Sequence, residues 1–550
     1  MTTFPHLSRG LNTLLLLTLL FSALALTGCG GGDGDNATTS TSTTTLTLTL
    51  SVQDIKTLRL SWTDADHATG YRLIAETDFA AARVAVATLP AGTTQHDLQV
   101  FLPDQVNARY TLQVCAASGC LDAGSADVQA ALLNSAVGYF KAATPGGQMG
   151  KGLALSADGS TLAVGAPGDD SQLADSGAVH LFARSPSGWV AQSVLKAAIP
   201  GMGDLFGESL ALSADGQHLA VGASAHAQSR GAIYVFERVN GLWTQQWFQA
   251  DPFPWTTQDS PREFGWALAL SGDGHTLVAG RMDGDYTALV FVRDNGGWTT
   301  EAVIPAIGAR DGSAFALSGD GSTLVMGRRD ATTAVGASGV VDVYQRSLGN
   351  WQFSTQLTAS NMGDGDGFGW SVAVASDGQT IAVGAVDEDG DATSINGLDG
   401  EGSRNSGAVY VFARSGNTWS QEAYIKASNT GESDRLGYVV SLSADGSALA
   451  VSAIDEDSAA RGLNGSPDSN ALNASGAAYL FRREGGAWYQ SSYIKATNSE
   501  SHDGFGNSIA LSGDGLTLAV GAVGEESAAT GIGGDQNDNS VGLSGAVYLY

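Results

Sequence analysis

Between Ser371 and Trp419 the chain alternates short apolar runs with polar turns, in an order that predicts four antiparallel strands. SVAVAS passes through Asp377-Gly378 into QTIAVGA, and an Asp-Gly pair supplies the positive φ that a tight hairpin needs. An acidic loop leads on to SGAVYVFAR, where Ala408, Tyr410 and Phe412 point one way and Val409 and Val411 the other. Both faces are apolar, so other protein must cover both. A fourth strand, WSQEAYIKA, begins at Trp419. Such a unit cannot stand alone.

Copies of it fill the chain. The turn recurs at Ser156–Pro167, Ser213–Ala223, Ser271–Gly280, Ser318–Gly327, Ser443–Ala453 and Ser512–Ala522. The tryptophan recurs at 189, 243, 298, 351, 419 and 488, spaced by 54, 55 and 53 residues and then by 68 and 69. Four strands per unit at such a period predict an all-β fold, a seven-bladed β-propeller over residues 134–550. Seven inner hairpins and seven third strands are present, but only six fourth strands follow a tryptophan. A seventh stands in front of the array: AVGYFKA (Ala136 to Ala142) aligns with EAYIKA and SSYIKA, Lys141 against Lys426 and Lys495. This outer strand would close the ring by pairing with GAVYLY at the other end. A truncated array that has lost its next repeat is the rival reading.

Phe-Gly pairs introduce the first strand at Phe206-Gly207, Phe264-Gly265, Phe368-Gly369 and Phe505-Gly506, and LAVGAP carries the Gly-Ala of the second strand. These residues resemble FG-GAP repeats, the unit of the integrin α-subunit propeller, and especially bacterial proteins built of them. The third and fourth units have drifted from the pattern, with Ala314-Phe315 in place of Phe-Gly in the fourth.

At the start of the chain, Leu11 to Leu26 is an apolar run of about 16 residues, short of the ~20 that cross a bilayer. It ends in Leu26-Thr27-Gly28-Cys29, which resembles the lipobox of bacterial lipoproteins. That resemblance implies a signal peptide over 1–28, diacylation of Cys29, and, with Gly30 next, sorting to the outer membrane of a Gram-negative cell. Residues 29–44, rich in Gly, Ser and Thr, read as a flexible tether.

Seven short alternating runs between residues 45 and 132 argue a small β-sandwich with its own core. The placing of Trp62 and Tyr110 resembles a fibronectin type III domain, and implies that both pack between its sheets. Cys115 and Cys120 bracket a short turn there, and in an oxidising envelope they are read as a structural disulfide.

Charge changes the picture in one respect. Fifty-six acidic against 27 basic residues give a net charge of −29, with no basic cluster, which argues against nucleic acid as a partner. The acids gather after the second strand, at Asp387-Glu388-Asp389, Asp455-Glu456-Asp457 and Glu525-Glu526. Asp387, Asp389 and Asp391 have the alternation of a calcium loop, making Ca²⁺ the one candidate cofactor. Solvated loop tips are the competing explanation. Integrin-type repeats hold Ca²⁺ between their first and second strands, where this chain has only SADG or SGDG, too few ligands for Ca²⁺.

No catalytic constellation is visible, since the eight histidines are scattered and the repeated residues recur in unit after unit. The expected function is therefore that of a monomeric cell-surface lipoprotein, not an enzyme, binding a protein or glycan through its loops. The longer loops of units five to seven favour this reading. A propeller-based hydrolase or lyase, or an envelope-assembly scaffold, remains the alternative.

Overall fold

The computed structural model describes residues 45–78, 83–143, 146–253, 262–282, 287–294, 297–305, 314–398 and 400–550. The expected signal peptide, Cys29 and the expected tether lie outside them. Among the described residues no helix is long and apolar enough to cross a membrane.

Among the described residues, strands pair in nine separate antiparallel sheets, each an open ladder, none curled into a barrel or closed on itself. Seven of these are the seven repeats. In unit five, Phe368–Val374, Thr380–Ala385, Ala408–Ser415 and Thr418–Ile425 lie side by side in chain order. The seventh sheet takes Phe505–Leu511, Leu518–Ala522 and Ala546–Leu549, and its fourth strand is Gly138–Phe140, with Tyr139 opposite Tyr548.

The strand pairing therefore corrects the expected architecture. It forms nine small open sheets in place of a closed, integrin-like seven-bladed propeller and a fibronectin type III-like sandwich. The physical reason lies in what an apolar pattern specifies. Two greasy faces demand cover, but they do not demand that one ladder continue into the next. Neighbouring sheets meet through side chains and single backbone bonds, such as Ala157 N–H to Ala214 O and Asp514 N–H to Ala157 O, both between turns.

Those turns also differ from a two-residue link. The loop from Ser156 to Thr161 is closed by Ser156 N–H donating to Thr161 O at 2.9 Å. Inside it, Ser160 N–H donates to Asp158 Oδ1 at 3.0 Å, and Thr161 N–H to Ser156 Oγ at 2.9 Å. The aspartate thus caps the backbone two residues on. Gly159 sits at φ 64°, and a Cβ there would lie 2.5 Å from Thr517 Oγ1 of the seventh unit. Only glycine fits.

The N-terminal strands fall into two sheets. One joins Thr49–Asp54, Thr57–Ser61 and Gln95–Gln99, and the other Val84–Pro90, Gly70–Glu76, Arg109–Ala116 and Gly119–Asp127. Cys115 and Cys120 face each other across the last pair and are disulfide-bonded. Trp62 and Tyr110 are buried in one apolar cluster, but that cluster is not the segment's own. Phe101 and Leu102 share it with Leu480, Leu511 and Leu518 of units six and seven. Lys56, buried, donates to Leu516 O at 2.5 Å and Thr517 Oγ1 at 2.7 Å, while Asp104 meets Arg482 at 3.2 Å. Residues 45–550 are accordingly one compact unit rather than two domains with separate cores. Deleting residues 45–133 should bare Leu511 and Leu518. The truncated chain should then bind a hydrophobic dye and scatter light on gentle warming, where the full chain does neither.

Candidate functional site

The long loops of units five, six and seven run from 386 to 407, 454 to 476 and 523 to 545, against 167 to 177 and 224 to 231 in the first two units. Each is fastened at its base by a buried ion pair to the fourth strand. In unit five, Lys426 Nζ donates to Glu388 Oε2 at 2.7 Å and to Ser406 Oγ at 2.7 Å, while Tyr424 Oη donates to Glu388 Oε1 at 2.7 Å. Unit six repeats the arrangement with Lys495, Glu456, Ser475 and Tyr493 at 2.7, 2.7 and 2.9 Å. Unit seven repeats it with Lys141, Glu525, Ser544 and Tyr139 at 2.6, 2.5 and 2.8 Å.

An asparagine completes each glutamate's shell, Asn429 reaching Glu456 at 3.0 Å and Asn498 reaching Glu525 at 3.2 Å. The glutamate backbone helps too: Glu388 O, Glu456 O and Glu525 O accept from Gly407, Gly476 and Gly545 N–H, all at 2.9 Å, just before the third strand. A buried charge is tolerable only when paired and hydrogen-bonded on all sides, and here it is.

A second fastening lies further out. Asn396 N–H donates to Tyr424 O at 2.7 Å, and Tyr424 N–H returns to Asn396 Oδ1 at 2.9 Å. Asn464 and Tyr493 do the same at 2.8 Å each way, and Gly533 N–H donates to Tyr139 O at 2.9 Å. The loop thereby lies along the outer edge of its sheet and exposes its far end, where Leu398 is 94% exposed.

Beside each ion pair sits a further carboxyl, Asp366, Asp434 or Asp503, that accepts a backbone N–H from three residues earlier at 2.6, 2.8 and 2.8 Å. Burial pushes these carboxyls up, Asp366 to about 6 and Asp434 and Asp503 to about 7, helped by the nearby Glu388, Glu456 and Glu525. Burial also lowers Lys141 and Lys495, against the pull of their glutamates.

The residues singled out from the sequence fall elsewhere. Asp389 Oδ1 accepts from Asn405 N–H at 2.7 Å, Asp387 lies 4.0 Å from Arg435, and Asp391 packs against Gly400 and Gly402. They splay apart, and among the described residues no group of three or more His, Cys, Asp or Glu is placed to hold a metal. The informative acid is the one between them, Glu388, which is buried together with Glu456 and Glu525. A signal was available: a lysine seven residues after Trp419 and Trp488, directly after the apolar end of the strand and followed by alanine, requires a partner if that end is buried.

Two of these units carry a recognisable repeat. Residues 351–412 and 488–550 match the FG-GAP repeat family, each stretch running from a tryptophan through the third strand beyond it. The likeness to FG-GAP repeats is thus narrower than the seven units read from the sequence. No curated protein matches the chain. Among solved structures, a protein of Bacteroides uniformis assigned as a 6-phosphogluconolactonase aligns at 13% identity and TM-score 0.43, over 78% of this chain and 98% of that one. The hydrazine synthase of Kuenenia stuttgartiensis aligns at 14% and 0.43, over 69% and 93%. Likenesses this remote carry no argument about activity.

Proposed function

We propose that this chain is a binding module of the cell envelope, tethered through Cys29 and presenting the loops of units five to seven to a protein or glycan. The observation that supports it is the double fastening of those loops. A loop held at its base by a buried ion pair and again along the strand edge loses little freedom when a ligand settles on its tip, and such pre-organisation favours affinity. The repeated lysines and glutamates are spent on each other and on tyrosine, serine and asparagine. They are fastenings rather than reactive groups.

The test is a soluble form beginning at Gly30, screened against a glycan array and against surface proteins. Replacing only the tips, 397–402, 465–468 and 537–540, by short Gly-Ser links keeps the Asn396, Asn464 and Gly533 bonds and should abolish capture while leaving thermal unfolding in place. Capture that survives all three replacements would refute the loop-face reading.

A further inference from the structure

The second unit departs from the network just described. Aligned on the tryptophan and on the Phe-Gly or Leu-Gly pair, its counterparts of the asparagine, glutamate, tyrosine and lysine are Ile199, His226, Phe248 and Ala250. The neighbouring aspartate stays: Gly201 N–H donates to Asp204 Oδ2 at 2.7 Å. His226 Nδ1 now lies 2.9 Å from that same oxygen. Beside this pair lies an open hollow of about 340 Å³, lined by Ala198, Ile199, His226, Tyr234, Gln245 and Phe248, with Ile199 81% and Phe248 43% exposed.

We propose that this cavity binds a planar aromatic ring bearing a hydrogen-bond donor, a phenol or an indole. Size permits it, since a cavity of about 150 Å³ already admits benzene. Shape and walls favour it. Phe248 meets Tyr234 at 5.0 Å and His226 edge-on at 5.8 Å, a lining on which a further ring can stack or stand on edge.

The polar groups agree. With Asp204 accepting from Nδ1–H, the histidine's Nε2 is left as an acceptor, which calls for a donor on the ligand. The hydroxyls of Tyr479 and Tyr548, the counterparts of Tyr234, donate to Asn429 and Asn498, whereas Ile199 offers Tyr234 no acceptor. Gln421 and Gln490 accept backbone N–H groups of Ser360 and Ser428 at 3.0 Å, a bond that Gln245 does not make with Ala198. Three polar groups freed from their usual partners thus edge an apolar hole. An anionic ligand would meet Asp204 and a chain of net charge −29. A sugar would set most of its hydroxyls against Ala198, Ile199 and Phe248. This site is separate from the long loops and does not depend on what they bind.

The experiment titrates indole, p-cresol and methyl glucoside into the chain from Gly30 onward and follows the His226 imidazole by NMR. Indole and p-cresol should shift it saturably, and methyl glucoside should not. Phe248→Ala should weaken binding about 3- to 10-fold, in line with the loss of one aromatic contact. A second variant restores the network of the last three units: Ile199→Asn, His226→Glu, Phe248→Tyr and Ala250→Lys together with Arg230→Ser, since Arg230 stands before Gly231 where those units carry Ser406, Ser475 and Ser544. It should fold, because that network already exists three times, and, followed by calorimetry, it should bind neither aromatic probe. Equal binding of indole by this variant, no binding of either aromatic probe by the wild type, or preference for the glucoside would each overturn the proposal.

Discussion

Lys495→Ala should cost the fold about 3–5 kcal/mol, the usual penalty for stranding one charge of a buried pair. Lys495 and Glu456 are both buried, 2.7 Å apart, so the carboxylate left behind has no water to turn to. It would keep Tyr493 and Asn429 as neutral donors, which is too little for a full charge. The effect is also directional. The loop from 454 to 476 should open first and become the earliest site of proteolytic cutting, because its base is fastened by that pair. Coupling Lys495→Met with Glu456→Gln should recover most of the loss, since the amide oxygen still accepts from Tyr493 and Asn429 and no charge remains. Denaturant unfolding with timed proteolysis checks both. A single variant as stable as the double would mean that the pair contributes nothing.

Stability should fall as pH rises from about 5 to about 7. Asp366, Asp434 and Asp503 hold their protons in the folded chain up to about 6, 7 and 7, against 3.8 for a free carboxyl. Between those limits the native state binds protons that the unfolded state has released, so unfolding becomes easier as pH climbs. The stabilisation is complete below about 4, declines as pH rises from there, and is gone above about 7. Above 7 a different group intervenes: burial lowers Lys56 to about 7, so its contribution grows with pH and opposes the trend. Asp434→Asn with Asp503→Asn keeps both backbone bonds and removes both protons. Melting temperature against pH should be less than half as steep in that variant between 5 and 7. An unchanged slope would assign the effect to other groups.

The units were legible because three independent signals repeat in phase: the turn, the alternating third strand and the tryptophan. Their four-stranded pairing follows from that pattern, including the pairing of Gly138–Phe140 with Ala546–Leu549. How the sheets associate was not legible. Apolar faces specify cover, whereas whether ladders join depends on backbone positions that the pattern leaves open. The N-terminal strands show the same limit, since nothing in TLRLSW or ARYTLQVC reveals that their segment will share one apolar cluster with Leu511 and Leu518. The acids misled for another reason. Asp387, Glu388 and Asp389 look alike in a string of letters, and only packing shows that the middle one turns inward to a lysine 38 residues away. The hollow of the second unit had a trace in the sequence, an isoleucine, a histidine and a phenylalanine at Ile199, His226 and Phe248 where units six and seven carry asparagine, glutamate and tyrosine.

The bond between Tyr139 and Tyr548 also sets a schedule for the chain's synthesis. The strand Gly138–Phe140 leaves the ribosome about 400 residues before its partner does, a wait of roughly 20–80 s at ~5–20 residues per second. Phe101, Leu102 and Lys56 wait equally long for Leu511, Leu518 and Thr517. During that interval the strand Gly138–Phe140 has no ladder to join, and its backbone edge stays unpaired until Ala546–Leu549 arrives.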